Sequence, residues 1–143
     1  MKKRGFIILC FCVLLLSACG SNNSRETSEN CLDNEPEHVS GLKIEGERTE
    51  RNVIHNMWPV VCQARKIYME RLKEKPGFKG KIELKMRVEF NGEIGAYSIS
   101  RSNMNDKDFE TRVLRLFQFM DFDPYGPHNS ETEIHYPIHF NPQ

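Results

Sequence analysis

Between Lys81 and Phe90 polar and apolar residues alternate without a break: Ile82, Leu84, Met86, Val88 and Phe90 interleave with Lys81, Glu83, Lys85, Arg87 and Glu89. A period of two places each set on its own side of an extended chain, so this segment predicts a strand with one buried face. Asn91-Gly92 follows, the dipeptide that best tolerates the positive backbone angles of a type I′ hairpin, and the chain returns through Ile94, Tyr97 and Ile99. The three-residue step from Ile94 to Tyr97, beside Gly95, predicts a bulge.

On either side of this hairpin the period changes to that of a helix. Val60, Val61, Ala64, Ile67, Tyr68 and Leu72 fall on one face, with Pro59 in the first turn, a shorter helical lead-in through Val53, Ile54 and Met57, and Pro76-Gly77 as the stop. Downstream, Asp106 suits an N-cap, Asp108 and Glu110 occupy the favourable first turn, and Phe109, Val113, Leu116, Phe117 and Met120 form a second apolar stripe. After a turn-rich stretch from Asp121 to Ser130, Ile134, Tyr136, Ile138 and Phe140 alternate as a last strand, which Pro137 assigns to a sheet edge. The order is α-β-β-α-β. The simplest way to bury every apolar set is an α+β domain over residues 47–143, a small three-stranded antiparallel sheet with two helices packed on one face.

The first 46 residues follow a different pattern. Lys2, Lys3 and Arg4 precede an apolar run from Phe6 to Leu16 that is too short to cross a bilayer as a helix, so residues 1–18 read as a signal peptide. Its end, Leu16-Ser17-Ala18-Cys19-Gly20, resembles the lipobox of bacterial lipoproteins, in which the cysteine thiol takes a diacylglycerol, with further acylation such as palmitate, before becoming the first mature residue. The alternative is an ordinary secretory signal cut after Ala18. The lipobox reading implies a membrane partner through lipid on Cys19, and Gly20, where an inner-membrane retention signal has Asp, implies an outer-membrane anchor facing the periplasm. From Cys19 to Gly46 the chain is rich in Ser, Asn, Glu and Asp without a sustained apolar period, so residues 19–46 are expected to form a flexible tether.

Composition adds little beyond this. The 20 basic and 20 acidic residues balance, and loss of Lys2, Lys3 and Arg4 leaves a mildly acidic mature chain with no sign of a nucleic-acid partner. Of five cysteines, Cys10 and Cys12 lie in the leader and Cys19 is the modification site, which leaves Cys31 and Cys62. They either pair in an oxidising compartment, or Cys62 is a buried apolar residue and Cys31 a free or intermolecular thiol. His135 and His139 lie about 13 Å apart along the last strand, too far to share a metal, while His38, His55 and His128 are scattered. Asp106, Asp108, Asp121 and Asp123 divide between a helix start and a helix exit, which fits capping rather than calcium. Neither an active site, nor a metal, cofactor or small-molecule site, is expected. From Arg65 to Arg87 there are nine basic residues against three acidic ones, and Arg65, Lys66, Lys73, Lys81, Lys85 and Arg87 form either a face for an anionic partner or ordinary solvated charge.

Tyr68-x3-Leu72-Lys73-x2-Pro76-x3-Gly80, the alternating strand, Asn91-Gly92-x-Ile94, Ser102, Phe109-x3-Val113 and Phe122-x-Pro124 together resemble the carboxy-terminal domain of TonB-like proteins, in particular the branch named for the AgmX and PglI gliding-motility proteins. The resemblance runs from about Arg51 to Phe140. That branch has one cysteine just before the tyrosine and one on the second helix, positions held here by Ile67 and Arg112, so Cys31 and Cys62 stand as a substitute pair. The amino-terminal membrane helix and long Pro-rich spacer of the energy transducers have no counterpart. The resemblance implies a non-catalytic envelope lipoprotein whose domain binds another envelope protein, by strand addition at the last strand, where Ile134, Tyr136 and Ile138 would form the docking edge. The alternative is a structural or assembly subunit of an envelope complex of motility or secretion type.

Overall fold

The computed structural model describes residues 31–142, and in it Thr49 opens the first helix: its backbone is extended and its hydroxyl accepts from the Asn52 N–H at 3.3 Å. Helix α1 then runs unbroken over Glu50–Glu74. Pro59 therefore lies inside the helix rather than in its first turn, and the expected lead-in is part of the same element. Proline removes the N–H that would serve the His55 carbonyl, a defect of about 3 kcal/mol or more in an isolated helix. Here burial of one continuous stripe, Val53, Ile54, Met57, Val61, Ala64 and Tyr68, offsets it. At the far end Lys75 N–H returns to the Arg71 carbonyl, and the Tyr68 hydroxyl donates to the Phe78 carbonyl at 2.5 Å, which fixes the path out of the helix.

Four strands form one antiparallel sheet: β1 (Lys43–Glu45), β2 (Gly80–Glu89), β3 (Ile94–Ser102) and β4 (Glu131–Phe140), in the order β1-β4-β2-β3. The sequence predicts three; the fourth comes from the expected tether. Lys43-Ile44-Glu45 has a single apolar residue and no visible period, yet Ile44 sits opposite Ile134 at the margin of the core. The boundary at residue 47 moves upstream accordingly, since residues 31–46 belong to the folded body. The leader 1–18, Cys19 and the start of the tether lie outside the described residues.

The even-numbered side chains of β2 and β4, Ile82 to Val88 and Ile134 to Phe140, face α1 and α2 (Lys107–Arg115) and make the core with Phe109, Val113 and Phe117. The α+β class and the placement of both helices on one face follow. The odd-numbered side chains make the opposite face, a charged surface in which Lys85 pairs with Glu133 at 2.8 Å and Arg87 with Glu131 at 3.8 Å.

Asp106 ties α2 to α1. Its carboxylate accepts from the Phe109 N–H at 3.0 Å as the helix cap, from Arg71 at 2.8 Å and from Lys75 at 2.7 Å. Burial by itself raises this carboxyl, but the bonds from Lys75, the Phe109 N–H and Arg71 more than offset it and hold it at about 2, below the ordinary 3.8. A carboxyl depressed on folding contributes stability that is complete above its unfolded value and lost as pH falls through its folded one. Asp106→Asn is expected to cost on the order of 1–2 kcal/mol at neutral pH, with the difference from the native protein closing between about pH 4 and pH 2. Urea unfolding of both proteins at the two ends of that range checks it.

The β2–β3 connection differs from a type I′ turn. Only Gly92 is left-handed, at φ +94°, while Asn91 is not, and the Gly92 N–H donates back to the Glu89 carbonyl at 2.9 Å across a wider loop. The loop is set by a tertiary contact: the Phe122 N–H donates to the Gly92 carbonyl at 2.9 Å, and a Cβ on Gly92 would lie 1.8 Å from the Phe122 carbonyl oxygen. Gly92→Ala is therefore expected to cost roughly 2–3 kcal/mol, read as a lowered denaturation midpoint, because both the backbone angle and the space exclude it. The pairing shifts register opposite Gly95, where the sequence predicts a bulge, and again at Ser100.

Beside this loop is a buried guanidinium. Arg48 is 4 % exposed and donates to Asn52 Oδ1 at 2.8 Å, the Asp123 carbonyl at 2.9 Å and the Glu89 carbonyl at 3.0 Å, with the rings of Phe122 and Tyr125 against it at 5.1 and 5.8 Å. Desolvation lowers its pKa below the ordinary guanidinium value, partly offset by Asp123 and Tyr125. One side chain thus joins the start of α1, the end of β2 and the 121–125 segment.

Candidate functional site

A sheet has two edges, and those of this one are unequal. On one side β1 covers β4 from Glu133 to His135. Beyond that, Pro137 has no N–H to offer, is itself buried, and has the Val39–Leu42 turn against its ring. This corrects the docking edge expected at the last strand. Ile134 is fully buried, Ile138 is 3 % exposed and Tyr136 2 % exposed, all three facing the helices, and burial pushes the Tyr136 phenol up to about 12. None of them presents a side chain to a partner. The sequence missed the reason, because a three-residue strand leaves too short a pattern to detect.

The other edge is β3. It pairs only with β2, and most of its side chains are exposed on both faces. Alternate residues of an antiparallel edge turn their N–H and C=O away from the paired strand, so β3 carries a row of backbone groups toward solvent. The bulges at Gly95 and Ser100 interrupt this row and leave Ala96, Tyr97, Ser98 and Ile99 as a regular stretch between them. Natural edges are commonly guarded by Lys, Pro, inward charge or bulges. β3 has the two bulges, but the stretch between them, Ala96 to Ile99, has no Lys, Pro or inward charge.

The two faces beside this edge differ in chemistry. Toward the helices, Tyr97 stands 38 % exposed with its ring 6.1 Å from that of Phe117. Toward the charged face, small Ala96 and Ser98 lie opposite Arg87 and Lys85, and with Glu133 they line a shallow depression of about 380 Å³. Farther along, Ser100 Oγ donates to the Glu83 carboxylate at 3.1 Å; this bond, with Lys81, Arg101 and His135 acting against desolvation, holds Glu83 below the usual range. Glu133 is lowered in the same way, by Lys85 first and then His135. The surface next to the edge is thus a lattice of compensated charges around a small-residue gap.

The six basic residues do not form one face. Lys81, Lys85 and Arg87 project from the charged side of the sheet, where acidic neighbours compensate them, while Arg65, Lys66 and Lys73 lie on α1 on the opposite side of the molecule. Strand alternation produces the split, because odd β2 positions point away from the helix layer. Arg65 lies over the Trp58 ring at 4.9 Å.

Cys31 and Cys62 are joined in a disulfide, and the Trp58 indole N–H donates to the Cys31 carbonyl at 2.8 Å. His55 and Arg51 approach Glu35, and His38 approaches Glu50 at 2.7 Å, so the segment before β1 is held along α1. His135 lies between Glu83 and Glu133, His139 is exposed farther along the same face, and the His128 ring packs against Phe90 at 4.6 Å. Among the described residues no group of three or more His, Cys, Asp or Glu side chains is placed to hold a metal ion, and no helix is long and apolar enough to cross a membrane. A cleft of about 590 Å³ between α1 and the 3-10 turn Leu116–Phe119 is wide open and lined by side chains of mixed chemistry, among them His55, Gln63, Leu116 and Asp121. No family model matches this chain, and comparison with characterised proteins and with solved structures finds no match.

Proposed function

We propose that this chain is a non-catalytic envelope lipoprotein, held by lipid on Cys19 at the periplasmic side of the outer membrane, whose TonB-like domain binds an extended segment of another envelope protein along β3. The observation that carries this reading is the open edge of β3, regular and free of Lys or Pro from Ala96 to Ile99, set beside an opposite edge that is capped by β1 and Pro137. An incoming strand would complete the hydrogen bonds β3 leaves open, each contributing about 0.5–1.5 kcal/mol net, and its side chains would alternate between the Tyr97 side and the gap over Ala96 and Ser98. With four regular residues between bulges, the backbone interaction is short, which suits a reversible contact made effective by anchoring both partners near one membrane.

The TonB-like reading draws support from the element order around the Tyr68, Pro76 and Gly92 motifs, with the added β1 as a departure that displaces docking from the last strand to β3. A photoreactive residue at Ser98 in the full-length chain, activated in living cells, is the test. Capture of one dominant envelope protein from Ser98, absent when the same residue stands at Lys66, is the expected result; equal capture from both positions would count against an edge.

A further inference from the structure

We propose that the outer surface of α1 rests on the membrane that anchors Cys19, so that the lipid surface covers the helix layer and β3 is left free at the flank of the molecule; this rests on the reading of Cys19 as lipid-bearing. Four large apolar side chains are exposed among the described residues: Leu32 at 49 %, Met69 at 48 % and Phe119 at 90 % lie on or beside α1 and the turn packed against it, while Tyr97 stands at the flank on β3, beside Phe117. Leu32 follows the cysteine bonded to Cys62, Met69 is two helical turns beyond Cys62 on the same side, and Phe119 lines the cleft against Pro59 and Gln63 on the adjoining side. Between them the outward positions of α1 include Lys66 and Lys73, with Arg65 alongside, all exposed; the exposed carboxylates on this helix, Glu70 and Glu74, are paired with Arg112 and Arg71, each at 2.6 Å. Apolar side chains interspersed with basic ones along a helix are what an anionic headgroup layer accommodates.

The chain's own connectivity says what covers this face. The disulfide fixes Cys31 at the middle of α1, so the polypeptide arrives from Cys19 at the helix layer and not at the charged sheet face. Cys19 and Cys31 are twelve residues apart, a contour of at most about 40 Å, which confines the helix layer to the neighbourhood of the lipid. The opposite face has none of the exposed large apolar side chains, and its Lys81, Lys85 and Arg87 are already paired with Glu83, Glu133 and Glu131. An orientation with α1 down follows from both constraints.

The test uses the full-length lipidated protein in phosphatidylethanolamine–phosphatidylglycerol vesicles whose acyl chains carry bromine, a contact quencher of indole. Trp58 is the only native tryptophan and is buried, so it supplies the background. Phe119→Trp is expected to lose several-fold more fluorescence to the brominated lipid than either the native protein or Tyr97→Trp. If Phe119→Trp is quenched no more than the native protein while mass spectrometry shows acyl chains on Cys19, the orientation is overturned and the anchor stands. If the acyl mass is missing, the anchor and the orientation built on it both fail.

Discussion

Arg48→Met is expected to lower the unfolding free energy by about 3–5 kcal/mol. Methionine fills much of the volume but leaves the carbonyls of Asp123 and Glu89 and the Asn52 side chain without the donors that now reach them at 2.8 to 3.0 Å. It also removes the cation from between the rings of Phe122 and Tyr125. Arg48→Lys should recover only part of the loss, because one ammonium cannot serve three acceptors in the directions a planar guanidinium does. Chemical denaturation of the three proteins measures this. A loss below about 1 kcal/mol for the Met variant would mean that the site is hydrated and the guanidinium dispensable. Since Arg48 fastens the end of the β2–β3 hairpin, its loss should also loosen β3 ahead of the core.

Removing the Cys31–Cys62 bond should cost about 3–4 kcal/mol, since it closes a loop of 31 residues and so limits the unfolded chain. Cys31→Ser with Cys62→Ala tests it without leaving a reactive thiol. What then holds the first segment includes the Trp58–Cys31 carbonyl bond, the pairs to Glu35 and Glu50, the Val39 N–H bond to Glu50, the partly buried Val39, Leu42 and Ile44, and the three residue pairs of β1 with β4. Exposed pairs are worth little. Beyond the global loss, the variant should be cut early by trypsin at Lys43 within β1, a site the paired strand protects in the native protein. Midpoint and cleavage rate together separate this from a general weakening: a lowered midpoint with Lys43 still protected would place the bond's effect entirely in the unfolded state.

Long, strongly periodic segments were the legible part of this molecule. The alternation from Ile82 to Phe90, the Asp106 cap with its Phe109–Val113 stripe, and the last strand all stand where the residue pattern places them, because burial of one face dictates each. The bulge at Gly95 was readable from a single broken step in the alternation. What escaped depends on contacts between distant segments. Pro59 looked like a helix start because the cap at Thr49 acts through one hydroxyl and has no period of its own. Asn91-Gly92 looked like a two-residue turn because nothing local announces that Phe122 will bind the Gly92 carbonyl. Lys43-Ile44-Glu45 is too short to read as a strand, and missing it left the last strand looking like a free edge although β1 covers it from Glu133 to His135. Arg48 gave no signal at all, being one basic residue in a polar stretch whose acceptors lie up to 75 positions away.

The reading of this chain as a docking module turns on whether β3 accepts a strand, and amide hydrogen exchange asks that of the backbone directly. The measurement compares the full-length protein alone with the complex purified with the envelope protein that Ser98 captures. If β3 is the docking edge, exchange slows selectively across Ile94–Ser102, with little change along β4 or the outer face of α1. Unchanged exchange in β3, with protection appearing elsewhere on the domain, would contradict strand addition and place the partner on another surface.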